Sequence, residues 1–197
     1  MKKVFIVLLS ALMVLSLFGC GSTEEKEAEN AVKSFTQALA KADFEEASKY
    51  YQGDISDFEI DVDVENVYKL LLSKLKCTVI STTKKSDDRM VVTAQFKNIA
   101  SGKIVADFAK QYLSWGLSAA FSTDKPDEKE IKKKTEEFFK NAYNTYKKEI
   151  VTQKCDVVVV KQDGKWVVSN QNITALIESV FGGMISALNV IGGSLFQ

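Results

Sequence analysis

The chemical vocabulary of this 197-residue chain is narrow: three cysteines, no histidine, and Arg89 as the only arginine. Without histidine there is no Ser-His-Asp or Cys-His catalysis, no imidazole metal ligand and no imidazole pH switch. Cys77 and Cys155 each open a predicted strand, Lys76-Cys77-Thr78-Val79 and Lys154-Cys155-Asp156-Val157. An even pair outside the cytoplasm invites a disulfide, which needs Cα atoms within about 7 Å. Parallel neighbouring strands would allow the bond. A simple meander would put one strand between the cysteines, a gap of about 9.6 Å, and leave two buried thiols. Asp57, Glu59, Asp61, Asp63 and Glu65 alternate with Phe58, Ile60, Val62 and Val64. Several carboxylates attract a hard cation. On an extended chain, however, acids two apart stand about 6–7 Å apart in a row and do not converge. The segment is expected to be extended, with a solvated acidic face that protects a sheet edge, and no metal or cofactor is expected. Asp107, inside an apolar segment, is the one acid whose setting could raise its pKa for acid–base work. A solvent-facing position near a helix start is the competing expectation, and no catalytic residue is assigned.

The amino terminus supplies an address. Lys2 and Lys3 precede Val4 to Leu17, an uncharged run interrupted by Ser10 and Ser16. A positive start, a short apolar stretch and a small residue before the cut define a secretory signal, here residues 1–19. The run is short for a membrane span of about 20 residues. Leu17-Phe18-Gly19-Cys20 resembles the lipobox of bacterial lipoproteins. That resemblance implies a diacylglyceryl thioether on Cys20, cleavage after Gly19, and an acylated new amino terminus. Two or more acyl chains anchor stably where one is marginal. Residues 20–27 are then expected to be a lipidated polar tether, and residues 28–197 a single α+β domain.

Removing Lys2 and Lys3 from the 26 basic residues leaves 24 against 26 acidic ones, a net charge of −2. No basic excess points to nucleic acid, and a near absence of arginine offers no bidentate phosphate clamp. Apolar residues make up 46% of the chain and Pro126 is its only proline, a composition of folded protein.

The elements follow from period. Ala28, Ala31, Val32, Phe35, Ala38 and Leu39 mark a helix. Asp43 caps a second one, with Glu46 as its capping-box partner. Helix resumes over Val64, Val67, Tyr68, Leu71 and Leu75, capped by Asp63. Strands are expected at Cys77–Thr83 and Met90–Asn98 as an antiparallel pair. Ile104 to Phe121 is apolar nearly all round and is expected to be a core helix buried on most sides. Its aromatic residues Tyr112, Trp115 and Phe121 are expected in a core cluster or, alternatively, around a pocket. Asp127 to Glu149 is a charged amphipathic helix, and its run Lys132-Lys133-Lys134 is a solvated face. Val157 to Val160 reads as a central strand buried on both faces. Asp163-Gly164 turns the chain into Lys165-Trp166-Val167-Val168. The last helix begins after Asn172. No charged residue follows Glu178. This tail is expected to close over the sheet or helices, to form a partner-binding or self-association face, or to enter a membrane.

Ala31-Val32-Lys33-Ser34-Phe35 through Asp43-Phe44-Glu45-Glu46-Ala47 resembles the opening helices of small lipoproteins in the cystatin-like, nuclear-transport-factor-two-like group. Asp163-Gly164-Lys165-Trp166-Val167-Val168 is similar to the closing hairpin of that group, which includes lipoproteins of Gram-positive bacteria. The resemblance implies a curved antiparallel sheet of about four strands packed with helices, a cystatin-like cone. Residues 100–149 depart from it as a helical insertion between the second and third strands. The expected function is a membrane-anchored extracytoplasmic binding or interaction module. Its partners are membrane lipid through Cys20 and a protein or small molecule whose identity the sequence leaves open. The alternatives are a small-molecule enzyme using carboxylate acid–base chemistry in a cone cavity, and a structural envelope-assembly protein. Fold analogy alone does not choose among them.

Overall fold

The computed structural model describes residues 22–59, 64 and 66–195. In chain order the elements are α1 (Thr23–Ala40), α2 (Phe44–Ser48), a 3-10 turn (Ile55–Phe58), α3 (Val67–Leu71), β1 (Lys76–Ser86) and β2 (Arg89–Ile99). Then come α4 (Ser101–Ala120), α5 (Glu128–Tyr146), β3 (Ile150–Gln162), β4 (Lys165–Val168), α6 (Ile173–Val180) and α7 (Met184–Leu195). The fold is α+β: a curved four-stranded antiparallel sheet in the order β1-β2-β3-β4, with α4 and α5 inserted between β2 and β3.

α1 begins well before Ala28. Ser22 Oγ accepts from the Glu25 amide at 3.2 Å, and Glu25 Oε2 accepts from the Ser22 amide at 2.8 Å. This reciprocal box satisfies two amides that the first helical turn leaves unpaired, and Glu24 and Glu25 suit its positive end. Residues 23–27 are therefore helix, which corrects the polar tether expected to run through residue 27.

The segment after α2 is another correction. Asp54 Oδ1 accepts from the Ser56 amide at 3.0 Å and starts a 3-10 turn, so Asp57 and Phe58 are not in an extended run, and Phe58 is buried. Ile60, Asp61, Val62, Asp63 and Glu65 lie outside the described residues. α3 is shorter than the Val64–Leu75 pattern implies, although Leu72 and Leu75 are still buried beyond it.

One face of the sheet carries the core. Met90, Val92, Ala94 and Phe96 of β2 and Cys155, Val157 and Val159 of β3 are buried in the same cluster as α1 and α6 residues. The alternate positions, such as Thr152, Lys154 and Asp156, are exposed. In the valine run, Val157, Val158 and Val159 are buried and Val160 is half-buried, with β2 and β4 on either side. The outer edge of β4 is covered: the Gln52 amide donates to Val168 O and the Val168 amide to Tyr50 O, both at 2.8 Å.

The meander decides the cysteine question. Cys77 faces Phe96 and Cys155 faces Ala94, so β2 lies between them. Two strand spacings, about 9.6 Å, exceed the reach of a disulfide. Both Cys77 and Cys155 are free thiols, the outcome that a simple meander implies and one of the two that the sequence leaves open.

The sheet has two distinct ends. At one, the tight turns Ser86–Arg89 and Gln162–Lys165 reverse the chain, with Asp163 and Gly164 at φ +50 and +78, the geometry a two-residue hairpin needs. At the other, Ile99 pairs with Ile150 and the helical insertion departs. Its root is tied by the Ala100 amide to Glu149 O at 3.0 Å and by Lys103 Nζ to Glu149 Oε2 at 2.6 Å.

The insertion corrects the largest sequence expectation. Only Ser101, Gly102 and Ile104 of α4 are buried, while Leu117 is 65% exposed and Phe121 89%. Because the β2–β3 ladder runs up to Ile99 and Ile150, the chain between them leaves at the sheet end. The main neighbours of α4 are α5 and α7. Gly102 permits this contact, since a Cβ there would strike the carbonyl of Gly183. Gly102→Ala is expected to cost about 1–3 kcal/mol, as an overpacked contact does. Gly116→Ala faces open space and is expected to gain up to about 1 kcal/mol of helix propensity. Urea midpoints shifting in opposite directions would bear out the contact; equal shifts would contradict it.

Candidate interaction surface

The two faces of α4 differ in what they meet. Phe108 and Trp115 turn toward α5, with ring centroids 6.1 Å from Phe139 and 6.2 Å from Phe138 respectively, and Tyr112 stands 5.8 Å from Trp115. These edge-on and tilted contacts zip the hairpin. On the other face Leu113, Leu117 and Phe121 recur every four residues and form one stripe, exposed by 38%, 65% and 89%. Ile131 of α5 is also exposed, as are Leu188 and Val190 of α7. Monomeric soluble proteins rarely leave an apolar stripe like that of α4 uncovered unless something binds there.

α5 supplies the charged side of the hairpin. Asp127 caps it by accepting from the Glu130 amide at 2.7 Å. Lys132 and Lys133 are exposed and Lys134 is half-buried, paired with Glu137 at 3.0 Å. The basic run is thus the solvated face expected of it. Between α3 and α5 an open cleft of 340 Å³ is lined by Leu70, Phe139 and Tyr143.

The residues singled out by sequence separate in space. Tyr112 and Trp115 sit half-buried in the α4–α5 seam and Phe121 projects outward, so they make neither a core cluster nor one pocket. Asp107 is half-exposed on α4. Burial pushes the thiols of Cys77 and Cys155 above their usual range, against the pull of hydrogen bonds from Thr36 and Ser179. Thiols so held are poor nucleophiles. No three potential metal-binding side chains converge among the described residues. Cys20 lies outside those residues. Likewise, no single described helix is long and apolar enough to cross a membrane. α6 and α7 reach that composition only as a pair bent by 99°, and α6 buries Leu176 and Val180 in the core.

The exposed stripe was missed because apolar residues on every side of a helix read as burial. Its trace in the sequence is the Leu113-Leu117-Phe121 spacing, offset from Phe108, Tyr112 and Trp115.

A tyrosine hydroxyl is also buried in the core. Tyr51 stacks on Phe35 at 5.5 Å, meets Phe58 edge-on at 5.4 Å, and donates to Asp57 Oδ2 at 2.8 Å. Burial first, then this carboxylate, pushes the phenol well above its ordinary value of 10.0. Above that pH the unfolded chain releases a proton that the folded chain keeps, so stability falls as pH rises. Below it both states keep the proton and the difference vanishes. Tyr51→Phe is expected to flatten the loss of urea stability above about pH 10; an unchanged slope would contradict the burial argument.

An α+β chain with a one-sided meander sheet and a projecting apolar hairpin is the class that fold and surface define. No protein-family model and no curated protein matches it. Among solved structures, the Bacillus subtilis protein YcdA, provisionally named a lipoprotein, is similar at a TM-score of 0.40 and 14% identity. The match covers 87% of this chain and 54% of that one, so the chain spans about half the length of YcdA. At such a score and identity the similarity establishes neither a shared fold nor a shared function.

Proposed function

We propose that this chain is a lipid-anchored, extracytoplasmic interaction module. Lipid on Cys20 holds it to the outer side of a membrane, and the hairpin of α4 and α5 offers an apolar stripe to a protein partner. The observation that carries the reading is the exposure of Leu113, Leu117 and Phe121 on a helix whose other face is already satisfied by α5. Such a stripe fits helix-in-groove recognition, in which apolar anchors on one helix face enter a partner's groove. The acid–base enzyme reading is less well supported: it needs a buried carboxyl, and Asp107 is half-exposed.

The test is in-cell photo-crosslinking from position 117, compared with position 83 on the sheet edge. A discrete crosslinked species from position 117 alone, lost in the Leu113→Asp/Phe121→Asp background, is the expected result. Phe121 is 89% exposed and Leu113 38%, so the fold is expected to lose about 1–2 kcal/mol, from the covered part of Leu113. Equal crosslinking from both positions, or none from 117, would refute a docking role for the stripe.

A further inference from the structure

The orientation of the body on its membrane follows from where α1 begins. Only Gly21 separates Cys20 from the capping residue Ser22. Two residues of chain reach at most about 7 Å. The first turn of α1 is fixed as well as short-tethered. Glu24 bonds Lys84 at 3.4 Å and Lys161 at 3.1 Å, and these lysines flank the β1–β2 and β3–β4 turns. Lys84 also pairs with Asp87 in the first of those turns, at 2.8 Å. Farther along α1, Thr36 and Ala40 line a cleft with Cys77 near the start of β1. α1 therefore runs from the turn end of the sheet toward the end from which the hairpin departs.

We infer that the turn end, comprising the Ser22 cap and the Ser86–Arg89 and Asp163–Lys165 turns, rests against lipid headgroups, with the hairpin of α4 and α5 on the side away from the bilayer. This rests on the lipid-anchor reading of Cys20. The length of chain between anchor and cap confines the turn end to the headgroup level. β2 is 11 residues long, about 35 Å of strand, and it separates that level from the root of the hairpin. The contact surface mixes charges: Lys84 and Lys161 are matched by Glu24 and Asp87. Zwitterionic headgroups suit it, and attachment is insensitive to salt, because the anchor and not a basic patch holds the body. The orientation also gives the apolar stripe its use, since it faces molecules approaching from outside.

The chain's two tryptophans report the orientation. Trp166 pairs with Lys161 beside a turn, and Trp115 lies on the hairpin. The lipidated protein is reconstituted in phosphatidylcholine vesicles containing a dansyl-headgroup lipid. Energy transfer is measured for the intact protein and for Trp115→Phe, which leaves Trp166 as the only donor. The contribution of Trp115 follows by difference, so no variant disturbs the buried Trp166. Because the hairpin root is a strand length from the turns, transfer from Trp166 is expected to exceed that from Trp115 severalfold. A long Gly/Ser insertion between Gly21 and Ser22 is expected to reduce transfer from Trp166. Equal or reversed transfer from protein that floats with the vesicles overturns the orientation alone. Protein that does not float overturns the anchor reading and the orientation with it.

Discussion

Asn98→Leu is expected to lose about 3–6 kcal/mol of folding stability, a large part of what a domain of this size possesses. Asn98 is fully buried at the end of β2. Its amide nitrogen donates to Leu71 O at 2.9 Å and Val180 O at 2.8 Å, and its carbonyl accepts from the Ile99 amide at 2.8 Å. Those two carbonyls end α3 and α6, where backbone oxygens have no helical partner. One side chain thus fastens two helix ends to the strand from which the hairpin departs. Leucine fills the volume and abandons three polar groups, each worth about 1–3 kcal/mol when buried and unpaired. Asn98→Asp keeps the shape but aims a carboxylate at two carbonyl oxygens, and at neutral pH it is expected to be no more stable than the leucine variant. Urea unfolding measures both. A loss below about 1 kcal/mol in either, the scale of an ordinary surface change, would contradict this role. Ser101, which donates to Leu71 O at 3.1 Å, keeps one carbonyl partly satisfied and holds the expected loss below the full sum for three abandoned groups.

Asn98 also marks the limit of what sequence patterns convey. Local signals survived folding well. The valine run became a central strand, Asp163-Gly164 became the turn, and the helices between the second and third strands are where hydrophobic period placed them. Each depends on neighbours a few residues away. The failures share a different cause. Whether Ile104–Phe121 lies in the core or projects from it depends on how far the β2–β3 ladder continues before the chain leaves, a matter of strand pairing. Whether Cys77 meets Cys155 depends on strand order. Asn98 reads as one polar residue in an alternating strand, and nothing nearby reveals that Leu71 and Val180 end beside it. The Ser22-x-x-Glu25 box is an exception: it is legible locally, and reading it moves the helix start from Ala28 to Thr23.

That start gives the second prediction its force. Cys20→Ala is expected to release the protein from the membrane, lowering the bound fraction by more than about a thousandfold. Each methylene buried contributes about 0.8 kcal/mol, one chain alone binds marginally, and two or more hold firmly. No other described feature substitutes for them: α6 is committed to the core, and the charges beside the Ser22 cap are internally matched. Detergent-phase partitioning reads the effect. Persistence in the detergent phase of a variant whose mass shows residues 1–19 removed would mean that another part of the chain binds lipid, and the uncharged α7 would be the first place to look. Folding should be unaffected, because the cap of α1 begins after the substituted residue.

The central claim is that acyl chains on Cys20 tether a folded body whose first helix begins three residues later, at Thr23. It is tested most directly by the mass of the amino-terminal tryptic peptide from protein purified out of membranes. The account predicts a peptide from Cys20 to Lys26 carrying a diacylglyceryl group and lacking residues 1–19. An unmodified peptide, or one that retains Gly19 before an unlipidated Cys20, would contradict it.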